Sequence, residues 1–166
     1  VFTKKGDSVL DPFMGVGGIL LGAALADRNA VGIDIEQKWI DIYKKVCEEE
    51  SIPVQKTLCG DSSEVLGGMS DQVFDMVFTD VPYFRMDRSR RSQGAYKKHG
   101  EEAKGSVQSK LSVFNQIDYA DTGEWLSHME HILGNAARLL KQDGYLAVFI
   151  GDMYADNRYL GLSGLL

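Results

Sequence analysis

A short apolar run, Ser8 to Asp11, feeds directly into the glycine-rich turn Asp11-Pro12-Phe13-Met14-Gly15-Val16-Gly17-Gly18, and small apolar residues from Ile19 to Ala26 follow it. That order reads as strand, tight turn and helix. Glycine there lets the backbone approach a ligand that any side chain would meet first, and a helix N-terminus offers free N–H donors. Such turns bind nucleotides or their relatives, and they also occur as purely structural corners. A dinucleotide fingerprint would need another glycine at position 20; Leu20 stands there, which weakens the reading as a site for NAD.

The same rhythm continues along the chain. Ala30 to Ile35 reads as a strand buried on both faces, and Trp39, Ile40, Tyr43, Val46 and Cys47 recur at helical spacing. Val54 to Leu58 is a weaker strand, and Val73 to Thr79 a strong one that ends at Asp80-Val81-Pro82-Tyr83. From Thr122 a long amphipathic helix presents Trp125, Leu126, Met129, Ile132, Leu133, Ala136, Ala137 and Leu140 on one face and stops before Asp143-Gly144. Tyr145 to Ile150 is the fifth strand, expected to be buried. Strands alternating with helices imply an α/β fold with a doubly wound, mostly parallel sheet, because a parallel pair needs a crossover long enough to hold a helix.

With 166 residues, 44% of them hydrophobic and 25% charged, the chain can build one core and is expected to form a single domain. Its net charge of −6 disfavours nucleic acid and acidic membrane unless positive charge is gathered locally. Such gathering occurs in a 38-residue segment of little periodicity, from Phe84 to Asp121, expected to be an insertion loop. Between positions 85 and 104 it carries seven basic residues, among them Arg85, Arg88, Arg90 and Arg91, against three acidic ones. Cys47 and Cys59 cannot form a disulfide framework, and with three scattered histidines they give no zinc-ligand spacing. No metal is expected, and a reducing, cytoplasmic setting is. No apolar run approaches the roughly 18 residues of a membrane span, so no membrane partner is expected.

Ligands of open α/β sheets sit outside the carboxyl ends of the strands, and three of those ends carry acids: Asp11, Asp34 with Glu36, and Asp61. Asp34 is placed to accept from both hydroxyls of a ribose, and Asp61 from an adenine amine. An acid-lined pocket fits a positively charged adenosyl ligand. Each acid read alone is equally a helix N-cap or a solvated turn residue, and Glu36 fits a cap better than a ligand.

These segments resemble the S-adenosylmethionine-dependent methyltransferases of amino groups, above all the DNA adenine-N6 and cytosine-N4 methylases. VLDPFMGVGG is similar to their first motif, VGIDIEQ to the second, CGDS to the third, and TDVPYF to the catalytic Asp-Pro-Pro-Tyr motif; LLKQDGYLAVFIGDMYADNRYL resembles the segment that follows the catalytic loop. The resemblance implies a Rossmann-like class I methyltransferase fold with S-adenosylmethionine as cofactor. It places Asp11, Gly15 and Gly17 at the methionine end, Asp34 at the ribose and Asp61 at the adenine, with Pro12, Phe13 and Ile35 also in the cofactor site. Asp80, Val81, Pro82 and Tyr83 would form the target site. Val81 stands where the family has its first proline; valine still supplies the carbonyl that the chemistry needs, but loses some rigidity.

The lone pair of an aromatic exocyclic amine is delocalised into its ring. Two acceptors, the Asp80 carboxylate and the Val81 carbonyl, can take its two N–H bonds and stabilise the charge that develops as it attacks a methyl group. A base within a duplex must first be flipped out, and Tyr83 is expected to stack on it, with Phe84 as a second wall; core packing is the alternative for both. Ring-carbon methylation would instead need a reactive thiolate, usually in a Pro-Cys pair that this sequence lacks; Cys47 falls on the apolar face of a helix and Cys59 has no basic neighbour. Phe84, Arg85, Arg88, Arg90 and Arg91 are the expected nucleic-acid contacts, the alternative being a solvated loop. The expected partner is DNA, with RNA guanine-N2 or protein-glutamine methylation, or an inactive cofactor-binding subunit, as alternatives. The family's C-terminal strand hairpin and a preceding helix are expected to be missing, which points to a fragment or a minimal protein served by a target-recognition subunit or a further domain.

Overall fold

Periodicity and turn chemistry translate into β1 (Ser8–Asp11), α1 (Gly18–Leu25), β2 (Asn29–Asp34), α2 (Gln37–Glu49), β3 (Lys56–Cys59), α3 (Ser62–Gly67), β4 (Phe74–Asp80), α4 (Thr122–Arg138), β5 (Leu140–Phe149), β6 (Met153–Ala155) and β7 (Arg158–Leu160). The computed structural model describes residues 2–84, 117, 119–155 and 158–166. The basic segment with Arg85, Arg88, Arg90 and Arg91 lies outside the described residues. The chain divides into two compact units, Val1–Val81 with Ser127–Phe149, and Pro82–Leu126 with Ile150–Leu166.

The first unit holds a five-stranded sheet in the order β3-β2-β1-β4-β5, with every neighbouring pair parallel. Strand order turns back on itself between β1 and β4, so a topological switch point lies at their carboxyl ends. Alternate residues of the central strands feed two cores. On one face Val9, Ala30 and Met76 pack with Leu20 and Ala23 of α1 and with Ile40, Tyr43 and Cys47 of α2. On the other, Leu10, Ile33 and Val77 pack with Leu66 of α3 and with Ile132 and Ala136 of α4. Burial of these side chains removes roughly 25 cal/mol of free energy per Å² of apolar surface.

Two expectations need correction. β5 is not a buried strand: Tyr145, Leu146 and Phe149, the last 63% exposed, are open to solvent because β5 lies at the edge of the sheet and, among the described residues, pairs only with β4. It also begins earlier than expected. Leu140 leaves the helix to pair with Phe74, Lys141 to Gly144 bulge out with Asp143 at a left-handed φ of 66°, and Tyr145 re-enters the ladder opposite Met76. Strand three is shifted similarly, to Lys56–Cys59, and leaves Val54 exposed.

In the second unit β6 and β7 form an antiparallel pair of their own, so a two-strand hairpin does follow the fifth strand, where the sequence led us to expect none. Asp152 before it accepts bonds from the Ser163 amide at 3.0 Å, the Ser163 hydroxyl at 2.7 Å and the Tyr159 hydroxyl. Among the described residues, no helix is long and apolar enough to cross a membrane.

Candidate active site

Asp11 ends β1 with its side chain buried, 2% exposed. Its Oδ1 accepts from the Thr79 hydroxyl at 2.7 Å and from the Phe13 amide at 3.1 Å. Burial pushes its carboxyl up to about 7; the two hydrogen bonds oppose that, and the negative charges of Asp80 and Asp34 add to it. Asp11, Asp34 and Asp80, from the ends of three different strands, therefore share one electrostatic environment. Asp80 itself is exposed at the last position of β4, paired in register with Phe149.

The glycine turn is fastened to the end of β2. The Gly15 amide donates to Asp34 Oδ2 at 2.9 Å, the Met14 amide to the Ile33 carbonyl at 2.9 Å, and the Glu36 amide to Asp34 Oδ1 at 2.8 Å. Burial raises the Asp34 carboxyl despite these bonds. Gly15, at φ 49°, has open space where a Cβ would stand, as an approaching ligand requires. Gly17 is glycine for a different reason: at φ 79° a Cβ would meet the Tyr43 ring at 2.3 Å. Close helix–strand packing, which position 20 does not provide by a glycine, is supplied from the strand, where Gly32 receives Leu20 and Met14. Pro12 is buried, and its carbonyl accepts a bond from Ser62 at the start of α3; Phe13 packs against the core and Ile35 is half exposed.

Asp61 caps α3: its Oδ1 accepts from the Ser63 amide at 2.7 Å and the Ser63 hydroxyl at 2.6 Å. The Ser63 bonds hold its carboxyl below the ordinary range, with a further pull from His128 on α4. Capping and ligand binding are compatible, since both Ser63 bonds fall on Oδ1. Glu36 occupies the N-cap position of α2 but makes no side-chain cap; it pairs with Lys38 at 2.6 Å.

The Asp80-Val81-Pro82-Tyr83 segment is divided between the units, Asp80 and Val81 ending one stretch and Pro82 and Tyr83 opening the next. Val81 is 1% exposed, so packing of its side chain anchors the position where proline is absent. Within the second unit, the Trp125 indole donates to the Pro82 carbonyl at 2.8 Å and the Tyr83 hydroxyl accepts from the Gly151 amide at 3.1 Å. Phe84 is buried, where a stacking wall needs an open face. Thr79, Trp125, Gly151 and His128 are contributors that the sequence reading missed. Thr79 directly precedes Asp80, and Gly151 lies in the segment that resembles the family's stretch after the catalytic loop, but neither signals its partner.

The DNA methylase model of the N6 and N4 type matches residues 1–45 and 74–163. The chain belongs to the DNA methylase family. The match passes over 46–73, the stretch with β3, α3 and Asp61. A tRNA (guanine(10)-N2)-dimethyltransferase of Pyrococcus abyssi is 28% identical over 130 residues, 72% of this chain and 38% of that protein. The type II methyltransferase M.BglI of Bacillus subtilis is 44% identical over 48 residues, 29% of this chain and 14% of that protein. The chain thus spans well under half the length of either relative. A Clostridium thermocellum protein assigned as an rRNA methylase superposes with a TM-score of 0.60 at 18% identity, covering 94% of this chain and 68% of that one. The fold is the Rossmann-like class I methyltransferase fold, as the sequence implies.

Proposed function

We propose that this chain transfers a methyl group from S-adenosylmethionine to an exocyclic amine of a nucleic-acid base. The observation that carries the reading is the placement of Asp80 at the end of β4, electrostatically coupled to the buried Asp11 at the end of β1, where the glycine turn begins. The residues present fit the donor. Asp11 Oδ2 is buried with no partner among the described residues, Gly15 leaves space, and three acids favour a cation. Asp11, Pro12, Phe13, Gly15 and Gly17 are assigned to the methionine end, Asp34 and Ile35 to the ribose, and Asp61 to the adenine.

When bound, S-adenosylmethionine supplies a methyl carbon made electrophilic by its sulfonium. The Asp80 carboxylate and the Val81 carbonyl accept the two N–H bonds of the amine, localise its lone pair and stabilise the positive nitrogen; Asp80 is the group placed to take the proton that the amine loses. Pro82 shapes the turn, and the Tyr83 ring in the same motif is assigned to the flipped base. The family favours DNA as substrate. A second reading, guanine-N2 of RNA, is favoured by the Pyrococcus abyssi relative, which aligns with 72% of the chain. Tritiated methyl transfer to unmodified DNA, to RNA and to protein, followed by identification of the labelled nucleoside or residue, tests both. Label on a base amine is the expected result; label on protein alone, or none, rejects the proposal.

A further inference from the structure

Thr79 is 0% exposed in the central strand β4, where valine would fill the same volume and suit the strand equally well. A hydroxyl at such a position costs stability unless it is bonded, and this one is spent on a single acceptor, Asp11 Oδ1 at 2.7 Å, across the β1–β4 junction. The bond ties the strand that ends in the catalytic Asp80 to the strand that opens the glycine turn. It also leaves Asp11 Oδ2 buried and, among the described residues, unpartnered.

We propose that Thr79 is a positioning residue for the methyl-donor site, its hydroxyl holding the Asp11 carboxyl in the orientation and the ionised form that receive a cationic donor. This rests on the proposed use of S-adenosylmethionine.

The groups that face Asp11 are few. The turn after β1 gives the Phe13 amide, β4 gives Thr79 and the Asp80 carboxylate, β2 gives the Asp34 carboxylate, and α3 gives the neutral Ser62 through Pro12. Burial and the two negative neighbours favour the neutral acid; the Thr79 and Phe13 bonds favour the carboxylate. With the balance at about 7, the carboxyl is divided between its two forms near neutrality. A cationic donor takes the ionised form, so its affinity rises with pH through that region. The product S-adenosylhomocysteine carries one positive charge fewer, and its affinity rises less. Removing the hydroxyl moves the rise upward by roughly one pH unit. Because apparent affinity scales with the competent fraction, donor binding at pH 7 then weakens about fivefold, and the gap closes by about pH 9. Asp34, also raised by burial, titrates in all variants alike, so the comparison of variants isolates Asp11.

The test is calorimetric titration of the wild type, Thr79→Val and Thr79→Ser with S-adenosylmethionine and S-adenosylhomocysteine between pH 6 and 9, on protein whose folding is checked by circular dichroism. A midpoint moved upward in Thr79→Val and restored in Thr79→Ser, with a smaller effect for S-adenosylhomocysteine, is the expected result. A midpoint unmoved in Thr79→Val, or moved equally in Thr79→Ser, overturns the role of the hydroxyl while leaving the donor reading intact. Folded wild type that takes up neither compound at any pH removes the donor reading, and this proposal with it.

Discussion

Asp75, at the amino end of the five-stranded sheet, and Asp11, at its carboxyl end, are treated in opposite ways. At the amino end Asp75, near the start of β4, accepts from the Ser8 amide and hydroxyl of β1, both at 2.8 Å, and from Lys141 of β5 at 2.8 and 2.9 Å. Burial pushes its carboxyl up, but the Lys141 and Ser8 bonds outweigh it and bring it down to about 2. At the carboxyl end, burial, with smaller additions from the Asp80 and Asp34 charges, carries Asp11 up to about 7 despite the Thr79 and Phe13 bonds. One acid fastens three strands; Asp11 is held where burial and two like charges disfavour its ionised form, an arrangement that the proposed cationic donor would relieve. Strain of this kind persists at functional sites because the rest of the fold over-determines them.

The strongest way to break this contrast is substitution at Asp80. Asp80→Asn is expected to lower methyl transfer by about a thousandfold, the usual scale for losing a charge-stabilising group, while donor binding persists. Asp75→Asn should leave transfer per folded molecule unchanged. Equal loss in both variants, measured by tritiated methyl incorporation against the folded fraction, would show that the two ends do not differ in function.

The next largest effect is on stability against pH. A carboxyl raised in the folded state holds a proton that the unfolded chain has released, so stability falls as pH rises from about 4 to about 7. The loss is of the order of 4 kcal/mol for a rise of that size. Asp11→Asn should abolish that fall and leave the ligand-free protein more stable than wild type at pH 8, as read from urea unfolding. A wild-type profile flat over this range would remove the stored-charge account of the carboxyl end.

The glycine turn sharpens the contrast from packing. Gly17→Ala must force a Cβ into the Tyr43 ring at a left-handed φ, so a loss of roughly 2–3 kcal/mol is expected. Gly15→Ala, with open space at φ 49°, should cost roughly 1 kcal/mol and act mainly on donor affinity. Thermal melting with and without S-adenosylmethionine separates the two effects.

Much of this was legible in the sequence because local chemistry carries it. Asp80 announces itself by its motif, Asp11 and Asp34 by standing where an apolar strand stops, and Gly15 by the turn. What was not legible depends on pairings between distant segments. The Thr79–Asp11 bond spans 68 residues and exists only because β1 lies beside β4. The need for glycine at 17 is set by Tyr43, a helix and a strand away. The apolar string Tyr145 to Ile150 reads as buried, yet exposure of β5 follows from strand order, which periodicity does not encode.

The smallest expected effect lies at the amino end. A group whose folded carboxyl is depressed adds stability above the unfolded value near 4 and loses it as pH falls toward about 2. Asp75 is a quarter exposed, so solvent screens its pairing with Lys141, and Asp75→Asn should cost only about 1–2 kcal/mol at pH 6. The cost should shrink to near zero at pH 2, where wild type is itself largely protonated in the unfolded chain and half protonated in the folded one. Because asparagine still presents an oxygen to Ser8, a double substitution with Lys141→Met should add little at pH 6 beyond the single Asp75→Asn change. If the double variant instead loses the sum of the two single effects, Asp75 and Lys141 act independently, and the amino end is fastened by strand pairing alone.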